Sequence, residues 1–336
     1  MNSKVCEKLT KFKEQFLKFL KSIRKAENTI SSYKTTLVSF IDYVEQYDDE
    51  VDIKDLNMIF FSEFLNYKTE TLLVQVDKNG KFVEAAASSQ NLYINHLTRF
   101  FKFVSTNYKD MKSFDYKNTL SELKISLPER EPKGLDESEV KKVLQTLELN
   151  IKIAYEYDIS KSRAKDKLLE KKNKLFLAYR NSLMFKIYVF SGIRASALIE
   201  KRVSEFRLDD DLYEFSIIKK GNKQVKAIVS AARIEKEFNF YKEHGYDLIA
   251  MSTKNKNRSI NRSEIWKVLR KIYSDSSVEP YGIHSLRHTF ALDLYRKTKD
   301  IVTVKEVLHH SSTQTTNIYA KESEETIKNN YRKAIC

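Results

Sequence analysis

Pro128 and Pro132 stand four residues apart in the segment SLPEREPKGLDESEV, and the 336-residue chain holds one other proline. A proline removes a backbone N–H and pushes the residue before it out of the helical region. Two so close leave no regular element able to run through. The chain is therefore expected to divide into residues 1–127, a linker at 128–135 and residues 136–336. Each part is long enough to bury a core of its own. Asp136 and Glu139 have capping-box spacing and should open a new helix. Six glycines and three prolines are too few for a turn-rich all-β fold. The expected class is mainly α with a small β-sheet.

Apolar periodicity supports that class. In the first part, Phe12, Phe16, Phe19 and Leu20 recur at helical spacing, as do Ile30, Tyr33, Leu37, Phe40, Ile41 and Val44 after Asn28. Leu56, Phe60 and Phe64 mark a third helix, and Leu92, Leu97, Phe100, Phe101 and Val104 a fourth. Between these two, LLVQVDKNGKFVEA alternates about Asn79-Gly80, the pattern of a hairpin or an ordered loop. The aromatic stripes read as core. In the second part, the basic stretch 161–174 reads as a solvated helix face. An apolar helix through Leu183, Phe185, Ile187, Val189 and Phe190 then runs into Ser191-Gly192-Ile193-Arg194. LYEFSII and VKAIVS flank KKGNKQ and predict a strand–turn–strand hairpin tipped with Lys219, Lys220 and Lys223. Further helices are expected through HSLRHTFALDLYRK and over 303–310, with Ser312 as a cap for the turn that carries Tyr319.

Charge narrows the partner. The net charge is +14, of which residues 128–336 carry +12. A basic half points to a polyanion. The run STKNKNRSINR (252–262) contains no acid, so Lys254, Lys256, Arg258 and Arg262 suit phosphates. No apolar run is long enough to span a bilayer, and the N-terminal residues lack the uninterrupted apolar stretch of a signal peptide. A cytoplasmic protein is expected, with no membrane association. Cys6 and Cys336 form no disulfide framework or metal-ligand pattern.

Four of the six histidines, His284, His288, His309 and His310, lie close to Arg287 and Tyr319 in the sequence. A tyrosine has an unperturbed pKa of about 10, so forming the phenolate at neutral pH costs roughly 4 kcal/mol. Imidazoles and guanidiniums reduce that cost at an anionic phosphorus centre. Residues three apart on a helix share a face, so His284 and Arg287 project together. A guanidinium matches phosphate oxygens two at a time. Arg194 and Arg287 with two imidazoles would stabilise a pentacovalent transition state, Tyr319 would attack phosphorus, and a hairpin lysine would protonate the leaving alkoxide. His284 and His288 are also spaced for zinc. However, the glutamate of H-E-x-x-H is missing and no third ligand is evident, so no metal is expected.

These segments resemble the catalytic domain of the tyrosine recombinase/integrase family. Ser191-Gly192-Ile193-Arg194-Ala195-Ser196-Ala197-Leu198 resembles its first arginine box, and Lys219-Lys220-Gly221-Asn222-Lys223 its lysine hairpin. His284-Ser285-Leu286-Arg287-His288-Thr289 matches H-x-x-R-H-T. Leu308-His309-His310 followed by Thr315-Thr316-Asn317-Ile318-Tyr319 matches the box that ends in the nucleophile. The resemblance implies Arg194, Lys220, His284, Arg287, His310 and Tyr319 as active-site residues, Tyr319 as nucleophile, and Lys219 and Lys223 at the DNA. His310 rather than His309 is assigned by its spacing to Tyr319, and His288 is left a structural helper. The family usually has Gly where His309 stands and often an acid where Ala197 stands, and the 148–176 region is longer than usual. The resemblance further implies a two-domain C-shaped clamp, with residues 1–127 as a helical core-binding domain and 136–336 as the catalytic domain. A homotetramer on two double-stranded DNA sites is implied, with the tail after Ala320 docking on a neighbouring subunit and no cofactor. The two-domain plan is most like Xer-type recombinases, which resolve chromosome dimers near the nucleoid, with a DNA translocase as a candidate activator. An integrase of a phage or mobile element, a topoisomerase and a non-catalytic DNA-binding relative are the alternatives.

Overall fold

The computed structural model describes residues 2–47, 49–73, 87–112, 114–127, 132–161, 163–219, 223–310, 314–320 and 332. The chain divides into two compact units, Met1–Glu129 and Arg130–Cys336.

The first unit is helical: α1 (Ser3–Ser22), α2 (Glu27–Gln46), α3 (Met58–Leu73), α4 (Ala87–Asn107) and the short α5 (Tyr116–Ser121). Cys6, Leu9, Phe12, Phe16 and Leu20 recur every three or four residues and line the buried face of α1. Phe40 of α2 stacks on Phe61 with centroids 5.8 Å apart and meets Phe64 and Phe101 edge-on. The aromatic stripes are thus core, although Phe19 and Leu92 lie exposed. Buried polar groups are paired. Thr36 Oγ1 lies 2.8 Å from His96 Nδ1. The Asn2 carboxamide donates to the carbonyls of Val44 and Tyr47 and accepts from Val51 N–H, tying the start of α1 to the end of α2. The Asn79-Gly80 hairpin expected from sequence lies outside the described residues.

The second unit opens on α6 (Glu137–Tyr155), and its capping box forms. Asp136 Oδ1 accepts from Glu139 N–H at 2.8 Å, and Glu139 Oε2 accepts from Asp136 N–H at 2.9 Å. Gly134 and Leu135 belong to this unit and not to a free linker. Leu135 is buried in its core and its N–H donates to Thr289 Oγ1 at 2.8 Å. A Cβ on Gly134 would fall 2.8 Å from the Thr289 nitrogen. The basic stretch 161–174 is not one helix. A 3₁₀ turn (Ile159–Lys161) and a loop precede Asp166, which caps α7 (Lys167–Ser191) by accepting from Leu169 N–H. α7 is the central helix. Phe176, Leu183, Phe185, Ile187 and Tyr188 bury on several of its sides, against α6, α9 (Ala231–Glu243) and α11 (Ile283–Thr298).

A three-stranded antiparallel meander follows the single-turn α8 (Ala195–Leu198): β1 (Arg207–Asp209), β2 (Leu212–Lys219) and β3 (Lys223–Ser230). Tyr213, Phe215 and Ile217 alternate inward on β2. The β2–β3 register closes at Lys219 opposite Lys223. β1 was not expected from sequence. Its three residues are too few to establish alternation, and its pairing with β2 creates it. α10 (Arg262–Asp275), α12 (Ile301–Val307) and α13 (Gln314–Asn317) are the remaining helices among the described residues of the unit. Ser312, and the tail after Ala320 apart from Arg332, lie outside the described residues.

Candidate active site

Four chain segments meet at the C-terminal end of α7. Gly192 ends that helix in the left-handed region at φ +62°. A Cβ there would lie 2.4 Å from Phe290 Cδ1 and 2.8 Å from Leu308 Cδ2, so both the reversal and the close approach require glycine. The reversal buries Ile193 and presents Arg194 as the residue that leads into α8. The Tyr188 hydroxyl donates to the Ala195 carbonyl at 2.9 Å and holds this turn in place.

α11 contributes His284, Arg287 and His288. Arg287 is 2 % exposed. Its Nη1 donates to the Gly192 carbonyl at 2.7 Å and its Nη2 to the Leu308 carbonyl at 2.6 Å. A guanidinium has five N–H donors, and these bonds account for two. Burial, then the charge of Arg194, lowers Arg287 to about 10, so it stays cationic at neutral pH. His284 lies one turn earlier on the exposed side, edge-on to His288 with ring centroids 4.8 Å apart.

The turn after α12 contributes His310, and α13 leads to Tyr319. His310 Nδ1 lies 2.9 Å from the hydroxyl of buried Thr316, and its ring lies nearly parallel to that of Tyr319 at 6.5 Å. Tyr319 is 3 % exposed, and its hydroxyl lies 2.7 Å from His288 Nδ1. His309 adopts φ +53°, the conformation for which glycine is suited, and its Nε2 lies 2.7 Å from the Lys226 carbonyl on β3. Facing a carbonyl, that nitrogen must carry its proton and donate.

The electrostatics follow from burial among cations. Desolvation, then the neighbouring charges, lowers His288 and His310 to about 4, and His284 moves in the same direction. The charge of Arg194 acts on His284, Arg287 and His310, which brings it into the same site. Burial raises the Tyr319 pKa, and Arg287 opposes the rise. Tyr319 is therefore a neutral phenol beside neutral imidazoles, with guanidinium charge around them.

Of the six residues expected at the site, Arg194, His284, Arg287, His310 and Tyr319 come together. Lys220 lies outside the described residues, as does the Lys219 side chain, and Lys223 is exposed at the start of β3. Lys254 and Lys256 are exposed on their loop. Arg258 and Arg262 differ sharply. Arg258 donates from both terminal nitrogens to Glu264 at 3.0 Å, so an acid just beyond the basic run reaches back into it. Arg262 begins α10, and its charge acts on His284. His288, expected as a structural helper, is the residue that touches the Tyr319 hydroxyl. The available signal was its place four residues after His284, on the same helix face. No cluster of three metal-ligating side chains occurs among the described residues.

The phage integrase family model matches residues 162–326. Tyrosine recombinase XerH of Helicobacter pylori is 25% identical over 323 residues, covering 89% of this chain and 79% of that protein. Tyrosine recombinase XerD of Oceanobacillus iheyensis is 24% identical over 330 residues, covering 95% and 96%. The crystal structure of XerH bound to palindromic difH substrate, a post-cleavage complex, superposes with a TM-score of 0.67 at 22% identity, covering 90% of this chain and 79% of that one, and shares its fold. Residues 162–326 form a phage integrase family domain, and over most of its length the chain is similar to Xer-type tyrosine recombinases. Among the described residues, no helix is long and apolar enough to cross a membrane.

Proposed function

We propose that this protein is a site-specific recombinase that cuts and rejoins duplex DNA through a 3′-phosphotyrosyl intermediate on Tyr319. The observation that carries this reading is the convergence of Tyr319 with Arg194, His284, Arg287, His288 and His310. Guanidiniums around a phenol suit attack on an anionic phosphorus centre. The Tyr319 oxygen bonds to phosphorus, the bond from phosphorus to the 5′ oxygen breaks, and that oxygen takes a proton from Lys220. Arg194 and Arg287 offset the charge of the pentacovalent transition state. His284 and His310 bind its oxygens or handle protons. The phosphotyrosine keeps the energy of the broken phosphodiester, so rejoining needs no nucleotide.

Residues 1–127 serve as a core-binding domain on the duplex. Lys219, Lys223, Lys254, Lys256 and Arg262 contact phosphates, whereas Arg258 already has Glu264. Four copies act on two sites. The Xer-type relatives favour chromosome dimer resolution in the cytoplasm, near the nucleoid, with a DNA translocase as activator. The phage integrase match keeps a mobile-element integrase as the second reading. Sequencing DNA trapped on the protein identifies the site. A nicked duplex carrying it should then give a covalent adduct without Mg²⁺. Tyr319→Phe should abolish the adduct and keep binding, and an adduct that persists would sink the nucleophile assignment. Arg194→Ala and Arg287→Ala should each slow cleavage by about 10²-fold, close to 3 kcal/mol, if comparable with an oxyanion-hole donor.

A further inference from the structure

We propose that His288 is a further catalytic residue, which holds the Tyr319 hydroxyl and takes its proton as the phenolic oxygen bonds to phosphorus. The inference rests on the reading of Tyr319 as nucleophile. His288 Nδ1 lies 2.7 Å from that hydroxyl, within the range of a direct proton transfer. Among the described residues no other side chain hydrogen-bonds to it. The two imidazoles otherwise placed to act are engaged elsewhere. His310 turns its Nδ1 to Thr316 and lies parallel to the tyrosine ring, and His284 meets His288 edge-on. The register of α11 sets the division of labour. Arg287 points to the Gly192 and Leu308 carbonyls, and the next residue points to Tyr319.

The chemistry fits a transfer that accompanies attack. Burial, then His284 and Arg287, holds His288 neutral at about 4. With its proton on Nε2, Nδ1 offers a lone pair to the phenol. Tyr319 titrates above its ordinary value, so no proton crosses beforehand. As the O–P bond forms, electron density leaves the phenolic oxygen and its proton becomes acidic. A phosphate diester seated on the guanidiniums also offsets the positive charge that opposes protonation of His288. The proton ends on Nδ1 and the alkoxide is protonated from Lys220. On rejoining, the free 5′ hydroxyl attacks phosphorus and returns its proton to the neutral Lys220 amine, and the same Nδ1–H returns to the departing Tyr319 oxygen. His288 therefore acts in both directions.

Single-turnover cleavage and rejoining on a nicked site test this. His288→Ala should slow both steps by about 10²-fold or more while DNA affinity and melting temperature hold, and added imidazole should restore part of the rate. A tetrafluorinated tyrosine at position 319, whose phenol is far more acidic and needs less help to lose its proton, should recover cleavage without His288. Wild-type rates in His288→Ala overturn the proposal. Faster cleavage does so too, since it would make the contact a lock, as does slowing of cleavage alone. If His288→Ala does not fold, His288→Gln keeps a hydrogen-bonding group that cannot take the proton, and a wild-type rate there is equally fatal. An adduct surviving in Tyr319→Phe defeats the underlying reading instead, whereas its loss beside an unimpaired His288→Ala defeats only this inference.

Discussion

His309 adopts φ +53° with a full side chain, and its imidazole donates to the Lys226 carbonyl. A non-glycine residue in the left-handed region costs about 1–2 kcal/mol, and a hydrogen bond returns roughly 0.5–1.5 kcal/mol. Both His309→Ala and His309→Gly lose the bond, but only alanine keeps the strain. Alanine should therefore be less stable than glycine by about 1 kcal/mol in urea titrations, and equal stabilities would contradict the account. A second residue-scale expectation concerns acid. His288 and His310 titrate at about 4 when folded, against about 6.5 when unfolded. Between those values the unfolded chain binds more protons. The stabilisation is complete above about pH 6.5 and is lost as the pH falls towards 4. Melting temperature should drop across that window, and His288→Gln should flatten the drop; parallel curves would count against the burial of His288. The H-x-x-R-H-T box was legible in the sequence as a cluster of reactive groups. The work of each member was not, because the contact between His288 and Tyr319 joins residues 31 apart, and only packing decides which imidazole reaches the hydroxyl.

Among the elements, the end of α7 decides most. Gly192 permits the left-handed turn and the close approach of Phe290 and Leu308, and its carbonyl orients Arg287. Gly192→Ala should destabilise the second unit by about 3 kcal/mol, combining left-handed strain with overpacking. It should also reduce cleavage further than unfolding alone explains, which adduct yield per folded molecule would reveal. A fully stable Gly192→Ala would refute the clash. Elements with strong internal pattern were readable: α2 from its apolar recurrence, β2 and β3 from alternation about a lysine turn, α6 from its capping box. β1 and α8 are three and four residues long, and carry too little pattern to stand out from loop. At the end of the segment expected as a linker, Leu135 and Gly134 are fixed by Thr289, 154 residues from Leu135 and beyond the reach of any local pattern.

Over the whole molecule, charge is unequally shared, with +12 of the net +14 on residues 128–336. DNA affinity should fall steeply with salt, since counterion release scales with the phosphates contacted. Arg262→Ala should reduce the salt slope by about 1, whereas Arg258→Ala should leave it nearly unchanged because Glu264 already holds that guanidinium. Equal slopes for the two variants would mean that DNA displaces Glu264. Arg287 has a consequence of another kind. Its two carbonyl partners lie 95 and 21 residues away along the chain, on segments that are neighbours only in the finished fold. A nascent or half-unravelled chain has Tyr319 but not the cradle that aligns Arg287. If Tyr319 acts as proposed, the capacity to break DNA is thus withheld until folding is complete, and a damaged copy falls silent rather than becoming a stray nuclease.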